Sequence, residues 1–220
     1  MTRQSEIFDD IYNNYGFGGK KIETRSGPGS TLEATKGISE FILDVVSRYG
    51  IKSVVDLPCG DFNWMCKIAH NFDSYIGLDI SKTCIKDNKE KYPDFTFKEF
   101  DVLNGNIPDC DLLIVRDMLG HMPLDYSRLA FENIKKSNWS YLIGTHFMYI
   151  RDDGSIDIDK QFKHLNTEIT DFGQCFLVNL MSEPLNLGTP VEFIHDMREH
   201  NKVQALWSRV PKEYKITEHS

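Results

Sequence analysis

A chain of 220 residues with 25 Lys and Arg against 33 Asp and Glu carries a formal charge of −8, with 40% apolar and 26% charged residues. That length fits one domain with a sizeable core, while the acidic balance speaks against general attraction to nucleic-acid backbones or anionic membranes, both of which need clustered Lys and Arg. No apolar run approaches the roughly 18–20 residues of a membrane span.

At the start, Ile7, Phe8, Ile11, Tyr12 and Tyr15 stand among Glu6, Asp9 and Asp10. This is helical spacing, unlike the unbroken apolar stretch of a signal peptide, so a cytoplasmic location is expected. Ser30-Thr31-Leu32-Glu33 reads as a capping box that opens a helix, whose apolar stripe is Ile38, Phe41, Ile42, Val45, Val46 and Tyr49 and whose left-handed stop is Gly50. Residues 53–57, short and β-branched, suit a central parallel strand covered on both faces. Similar runs lie at 75–78, 95–97, 112–115, 141–144, 176–178 and 203–207, and helical segments at 64–70, 82–91, 124–136 and 190–200. Strands separated by crossover helices predict an α/β fold with a parallel sheet wound on both faces and a ligand site beyond the carboxyl ends of its strands. Residues 151–174 break the rhythm. Asp152-Asp153-Gly154 and residues 157–160 have turn chemistry, with a short helix only near 161–166; the segment is either a lid or acceptor loop or a plain insertion. The expected organisation is one domain over 1–220, with residues 1–30 as an N-terminal cap or lead-in. Five cysteines, Cys59, Cys66, Cys84, Cys110 and Cys175, are odd in number and lack a C-x-x-C pair, which reads as reduced thiols. His195 and His200 have no ligand set of a zinc site around them, and Asp152, Asp153, Asp157 and Asp159 read as a solvated loop, so no metal is expected.

Chemistry concentrates just after the strands. The first runs into Asp56-Leu57-Pro58-Cys59-Gly60-Asp61-Phe62-Asn63-Trp64. This is not the G-x-G-x-x-G dinucleotide fingerprint. Two acids there would repel a pyrophosphate, which wants bare N–H groups, but they suit a ligand carrying an ammonium and a sulfonium. Asp79, at the tip of the second strand, can accept from a ribose hydroxyl pair, and Asp101, after the third, from an exocyclic amine. Trp64 is either a pocket wall or a core residue.

The fourth strand delivers Arg116 and Asp117, with His121 four residues on. If a helical turn begins there, Asp117 and His121 share a face, so Asp117 could orient His121 as general base while Arg116 pairs with an acidic group on a ligand. The alternative has Asp117 capping a turn and His121 donating to a carbonyl. His146, at the end of the fifth strand, is a second candidate base, ranked below. Upstream, Arg25-Ser26-Gly27-Pro28-Gly29-Ser30 places glycines and hydroxyls before a helix start, where an anion is favoured, with Lys20 and Lys21 as a possible rim. Asn179 and residues 184–190 either reach the acceptor or brace the last strands.

These motifs resemble the class I S-adenosylmethionine-dependent methyltransferases: Val54-Val55-Asp56-Leu57-Pro58-Cys59-Gly60-Asp61 as the first motif, Gly77-Leu78-Asp79 as the second, Phe100-Asp101-Val102 as the third. The chain is closer still to a bacterial subgroup with SGPGS at 26–30, D-x-P-C-G-D-F-N-W at 56–64, RDMLGH at 116–121 and a late asparagine and proline stretch, Asn179-Leu180 and residues 184–190; the matches run from about 25 to 208. Leu185 and Gly188 depart from the subgroup's usual Phe and Pro. The resemblance implies a Rossmann-like, seven-stranded, mostly parallel sheet with the last strand antiparallel, S-adenosylmethionine as cofactor and S-adenosylhomocysteine as product. It places Asp56, Pro58, Cys59, Gly60 and Asp61 around the methionine part, with Ser26, Ser30, Trp64 and Arg116 alongside. Asp79 would hold the ribose and Asp101 with Val102 the adenine, Ile80 packing on the ring. Subgroup members are often associated with surface-polysaccharide biosynthesis, so the implied reaction is methyl transfer to oxygen of a small polar acceptor, a sugar, nucleotide-sugar or phosphate-bearing glycan precursor. Transfer to nitrogen is the main variant. A nicotinamide-dependent oxidoreductase and a non-catalytic cofactor-binding module are the other classes considered, and the glycine-poor first turn argues against the former.

Overall fold

A computed structural model describes residues 2–18, 22–149, 166, 169, 171–196 and 201–210. Its elements are α1 (Arg3–Asn14), α2 (Lys36–Tyr49), β1 (Ser53–Asp56), β2 (Ser74–Asp79), α3 (Lys82–Lys91), β3 (Thr96–Glu99), β4 (Cys110–Val115), α4 (Leu124–Lys136), β5 (Trp139–Phe147), β6 (Glu192–His195) and β7 (Lys202–Ser208). They build one seven-stranded sheet of order β3-β2-β1-β4-β5-β7-β6. The first five strands run parallel, and β7 is antiparallel to both β5 and β6. This is the Rossmann-like arrangement expected, with its last strand antiparallel.

Period-two side-chain direction explains why a nearly all-apolar strand can serve two cores. Val54, Leu112, Ile114 and Ile143 face the cluster that α2 fills with Ile38, Phe41, Ile42 and Val45. Their neighbours Val55, Leu113, Val115 and Leu142 face the opposite cluster, filled by Ala130, Phe131 and Ile134 of α4. Helix α2 ends as its sequence requires, with Gly50 left-handed at φ 63° and its N–H on the Val46 carbonyl. Helix α3 is capped by Ser81, whose hydroxyl accepts from the Cys84 N–H at 3.2 Å. No helix among the described residues is long and apolar enough to cross a membrane.

Four local expectations are corrected. The capping box at 30–33 does not open a helix: Pro28–Ser30 is a 3-10 turn, and the Ala34 N–H goes to Thr31 Oγ1, so α2 starts only at Lys36. The segment at 64–70 closes as two 3-10 turns, Met65–Lys67 and Ala69–Asn71, because Trp64, Met65, Ile68 and Ala69 all turn into the core. Residues 176–178 run without a strand ladder. Phe176 N–H bonds to Gly120 O, and Val178 O accepts from Phe147 N–H, while Phe176 and Val178 are buried. The seventh strand is instead β6, inside the helix expected at 190–200, where pairing with β7 outcompetes local helix propensity. The remainder of that helix, the loop at 151–165, and Lys20 and Lys21 lie outside the described residues.

Candidate active site

The carboxyl ends of β1 to β5 open on a cavity of about 420 Å³. Across the sheet its polar lining follows strand order: Asp101 after β3, Asp79 at the end of β2, Asp56 at the end of β1, and Arg116 with Asp117 after β4, followed by Lys202 where β7 begins. Apart from His146, the residues singled out from the sequence as cofactor-contacting or catalytic line this cavity, Ser26, Ser30, Pro58, Cys59, Gly60, Asp61, Trp64, Ile80, Val102 and His121 included.

The turn after β1 needs its glycine. Gly60 sits at φ 54°, and a Cβ there would stand 2.5 Å from Ser26 Oγ. Its N–H donates to Asp79 Oδ2 at 3.1 Å, and its carbonyl accepts from Asn88 Nδ2 at 2.7 Å. Asp61 is engaged within the protein: its carboxylate accepts from Thr24 Oγ1, the Arg25 N–H and Ser26 Oγ at 2.7–2.9 Å, pinning the 24–26 segment to the turn. Arg25 turns away to Asp87 at 2.6 Å, so it does not supply the cation expected near the SGPGS segment. Buried Cys59 and Cys84 have thiols that desolvation pushes up, which keeps them protonated and unreactive.

Asp56 and Asp79 are 2% and 3% exposed. Burial pushes Asp56 up to about 7, against the Tyr75 hydroxyl that donates to it at 2.8 Å. Burial likewise pushes Asp79 up to about 6, against the N–H groups of Ser81 and Gly60. With two backbone donors, the Asp79 carboxylate keeps lone pairs for a ligand, since an ionised carboxylate has about four acceptor positions. Asp101 accepts from the Leu103 N–H and Asn104 Nδ2 at 2.9 and 2.8 Å, which holds it at the cavity rim.

The raised Asp56 makes a stability prediction. Its folded-state value lies above the unfolded one, so its contribution is fully present below about pH 4 and is lost as pH rises through 7. Asp56→Asn keeps an acceptor for Tyr75 and removes the buried charge. Thermal denaturation of the ligand-free variant is expected to give a melting temperature about 5 °C above wild type at pH 8 and less than half that gain at pH 5.

Beyond β4 the cavity meets a compact charge cluster. Asp117 Oδ2 lies 3.1 Å from both Arg116 Nη1 and Lys202 Nζ, and Asp196 Oδ2 lies 3.6 and 3.5 Å from Arg116 Nη2 and Lys202 Nζ. Thr145 Oγ1 donates to Asp117 Oδ1, and Gln204 Nε2 to Asp196. Burial opposes ionisation of Asp117, but the Arg116 and Lys202 cations override it and hold the carboxyl far below the usual range. Asp117 sits at φ 51°, a left-handed conformation rare for a side-chain-bearing residue. Arg116 also donates to Gly29 O at 2.9 Å and lies against the Trp64 ring at 5.8 Å, so Trp64 is both pocket wall and core.

The expected Asp117–His121 pairing is corrected. Leu119–His121 is a 3-10 turn, and the Asp117 carboxylate is held by Arg116, Lys202 and Thr145. His121 Nδ1 instead meets the Gln174 carbonyl at 2.8 Å, and its ring lies 5.2 Å from that of Phe17. A carbonyl only accepts, so in neutral His121 the proton is on Nδ1 and Nε2 carries the lone pair. His146 stands away from the cavity: its Nδ1 accepts from the Leu180 N–H at 3.0 Å, its ring edges Trp207, and burial holds it down at about 4. It is a neutral core histidine. Asn179 is buried and bonded to Asn166 and Met181, and Leu185 is wholly buried, so residues 179–188 brace the core apart from the cavity.

Sequence reasoning missed Gln4, Phe8 and Tyr12 of α1, and also Phe147, Phe172, Asp196 and Lys202. For α1 a signal existed, its four-residue spacing. For Asp196 and Lys202 none did, because they reach the site through the β6–β7 pairing.

No protein-family model matches the sequence, and no curated protein matches it. Solved structures do match in shape. Magnesium protoporphyrin IX methyltransferase (ChlM) from Synechocystis PCC 6803 with bound S-adenosylmethionine superposes with a TM-score of 0.61 at 13% identity, covering 94% of this chain and 99% of that one. The N-methyltransferase NodS from Bradyrhizobium japonicum WM9 in complex with S-adenosylhomocysteine gives 0.61 at 12% identity over 94% and 98%. The DhpI–S-adenosylhomocysteine complex gives 0.56 at 13% over 93% and 97%. The chain has the fold of the S-adenosylmethionine-dependent methyltransferases, over nearly the full length of each of these three.

Proposed function

We propose that this protein is an S-adenosylmethionine-dependent methyltransferase that acts in the cytoplasm on oxygen of a small polar acceptor. The observation that carries the reading is the row of carboxylates, Asp101, Asp79 and Asp56, at successive strand ends on one cavity. The donor set fits the cofactor: Asp79 retains acceptor positions for a hydroxyl pair, Ile80 and Val102 give an apolar seat for a base, and the glycine turn at 60 admits close approach of a ligand to the backbone. Asp56 would face its cationic end.

Bound there, S-adenosylmethionine would supply an electrophilic sulfonium methyl, leaving S-adenosylhomocysteine. The chain's own part is alignment and proton handling. An acceptor hydroxyl at the His121 side of the cavity loses its proton to Nε2, while Nδ1 stays fixed on the Gln174 carbonyl. Strongly ionised Asp117 is unsuited to act as base and serves as a fixed negative charge held by Arg116 and Lys202. A sugar, nucleotide-sugar or phosphate-bearing glycan precursor is the acceptor class carried by the motif resemblance. NodS is described as an N-methyltransferase on the same fold, so amines belong in the same screen.

Calorimetric titration of the folded protein with S-adenosylmethionine, S-adenosylhomocysteine and NAD tests the reading. Saturable binding of the first two in the micromolar range and none of NAD is expected, followed by methyl transfer to a member of a sugar, phospho-sugar and amine panel. Absence of binding at sub-millimolar concentration would overturn it.

A further inference from the structure

The cations of the cavity are already engaged within the protein. Arg116 and Lys202 are the only Lys or Arg side chains on its described lining, which carries six carboxylates, Asp56, Asp61, Asp79, Asp101, Asp117 and Asp196. The Arg116 guanidinium turns Nη1 to Asp117 and Nη2 to the Gly29 carbonyl, and its Nε is buried with no partner. Lys202 Nζ donates to Asp117 at 3.1 Å and stands 3.5 Å from Asp196, which leaves one of its three N–H groups. Asp117 is the most open member of the cluster, its side chain 28% exposed against 5% for Arg116, 9% for Asp196 and 13% for Lys202. What the cluster turns to the cavity is therefore chiefly a carboxylate.

A phosphate seated beside His121 would meet Asp117 and Asp196 with a single ammonium donor to offset them. Like charges brought together across a partly desolvated contact are strongly unfavourable, and a site rejects a ligand of suitable size in this way. The proposed cofactor also brings a carboxylate of its own, which draws on the same two cations. A sugar ring without charge meets no such conflict. An ionised carboxylate has about four acceptor positions, and Arg116, Lys202 and Thr145 occupy three on Asp117, so one remains for a hydroxyl. The remaining Lys202 N–H can donate to a second hydroxyl, and Phe17, Phe147 and Met118 on the lining offer apolar surface to the C–H faces of the ring.

We infer that the acceptor is an uncharged hydroxylated compound, a sugar unit without phosphate, and that Asp117 and Asp196 are the specificity-determining residues that turn sugar phosphates and nucleotide sugars away. This narrows the acceptor class proposed above and rests on the methyltransferase reading.

Two measurements on the full chain test it. Inorganic phosphate is titrated calorimetrically into the S-adenosylhomocysteine complexes of wild type, Asp117→Asn and Asp196→Asn. Wild type is expected to bind none up to about 20 mM and each variant to bind at least about tenfold more tightly, because each substitution removes one negative charge and keeps the side chain's shape. Methyl transfer from S-adenosylmethionine is then assayed with hexoses supplied as the methyl glycoside, the 6-phosphate and the uridine-diphosphate sugar. The methyl glycoside is expected to exceed its phosphorylated partners at least about tenfold in kcat/KM. Millimolar phosphate binding by wild type, or faster transfer to a phosphorylated or amine acceptor, overturns the inference and leaves the methyltransferase reading standing. Variants that bind phosphate no better than wild type overturn it equally, since the carboxylates would then not be what excludes the anion. If no hexose is methylated, the phosphate titration decides alone, and if one variant does not fold, the other decides. Failure of folded wild type to bind S-adenosylhomocysteine at all removes both the inference and the reading beneath it.

Discussion

Asp79→Asn is expected to weaken S-adenosylmethionine binding about a hundredfold and to leave the fold intact. The carboxylate already holds the Gly60 and Ser81 N–H groups, which fixes its orientation toward the cavity. Hydrogen bonds from ligand hydroxyls to a charged acceptor contribute roughly 1.5–3 kcal/mol each. Asparagine keeps one acceptor oxygen and loses the charge, so about 2–3 kcal/mol should disappear, or roughly two powers of ten. Stability changes little, because the lost acceptor is offset by removal of a buried charge. The pH dependence has a definite sign. Burial pushes Asp79 up to about 6, and hydroxyl donors favour its ionised form. Wild-type affinity should therefore fall as pH drops from 8 through 6 to 5, whereas the variant loses this component of the pH response. Calorimetry at those three values reads both effects. Equal affinity of variant and wild type at pH 8 would detach Asp79 from the ribose.

His121→Asn is expected to lower kcat by about 10²–10³ on an alcohol acceptor, with the dissociation constant for S-adenosylmethionine unchanged. General-base catalysis contributes typically 10²–10⁴, and asparagine retains a hydrogen-bonding group of similar size beside the Gln174 carbonyl. The split between kcat and cofactor affinity matters, since a residue that merely packed on Phe17 would move stability and binding together. Asp117→Asn gives a contrasting pattern. Its carboxylate touches Arg116, Lys202 and Thr145 and makes no bond to His121, so its loss should disturb the charge cluster first, read as lowered melting temperature and raised acceptor KM. Wild-type turnover of the true acceptor by His121→Asn would show that the nucleophile needs no base.

Much of this site was legible because its parts are local. A carboxylate at a strand tip, a glycine turn and a helix start are specified within a few residues, and strand alternation places them on one edge of the sheet. Asp56, Asp79 and Asp101 were found in this way, and they share one cavity. Local signals misled where a tertiary partner outweighed them. Residues 190–196 have an apolar rhythm compatible with a helix, yet β7 offers Glu192–His195 a complete antiparallel ladder. The capping box at 30–33 has suitable side chains, but Ser30 is buried against the cavity, Asn63 donates to its carbonyl, and Thr31 takes the capping bond.

By itself the sequence determined the α/β alternation, the two-faced strands, the stop at Gly50 and the acids that follow the strands, since each follows from side-chain periodicity or backbone freedom over a few residues. Only the tertiary structure decided who meets whom: His121 with Gln174, 53 residues away, Asp117 with Lys202, 85 away, and Asp9 with Ser81, 72 away. Such pairings depend on how distant segments pack around the sheet, and no local pattern in either segment encodes the other's position.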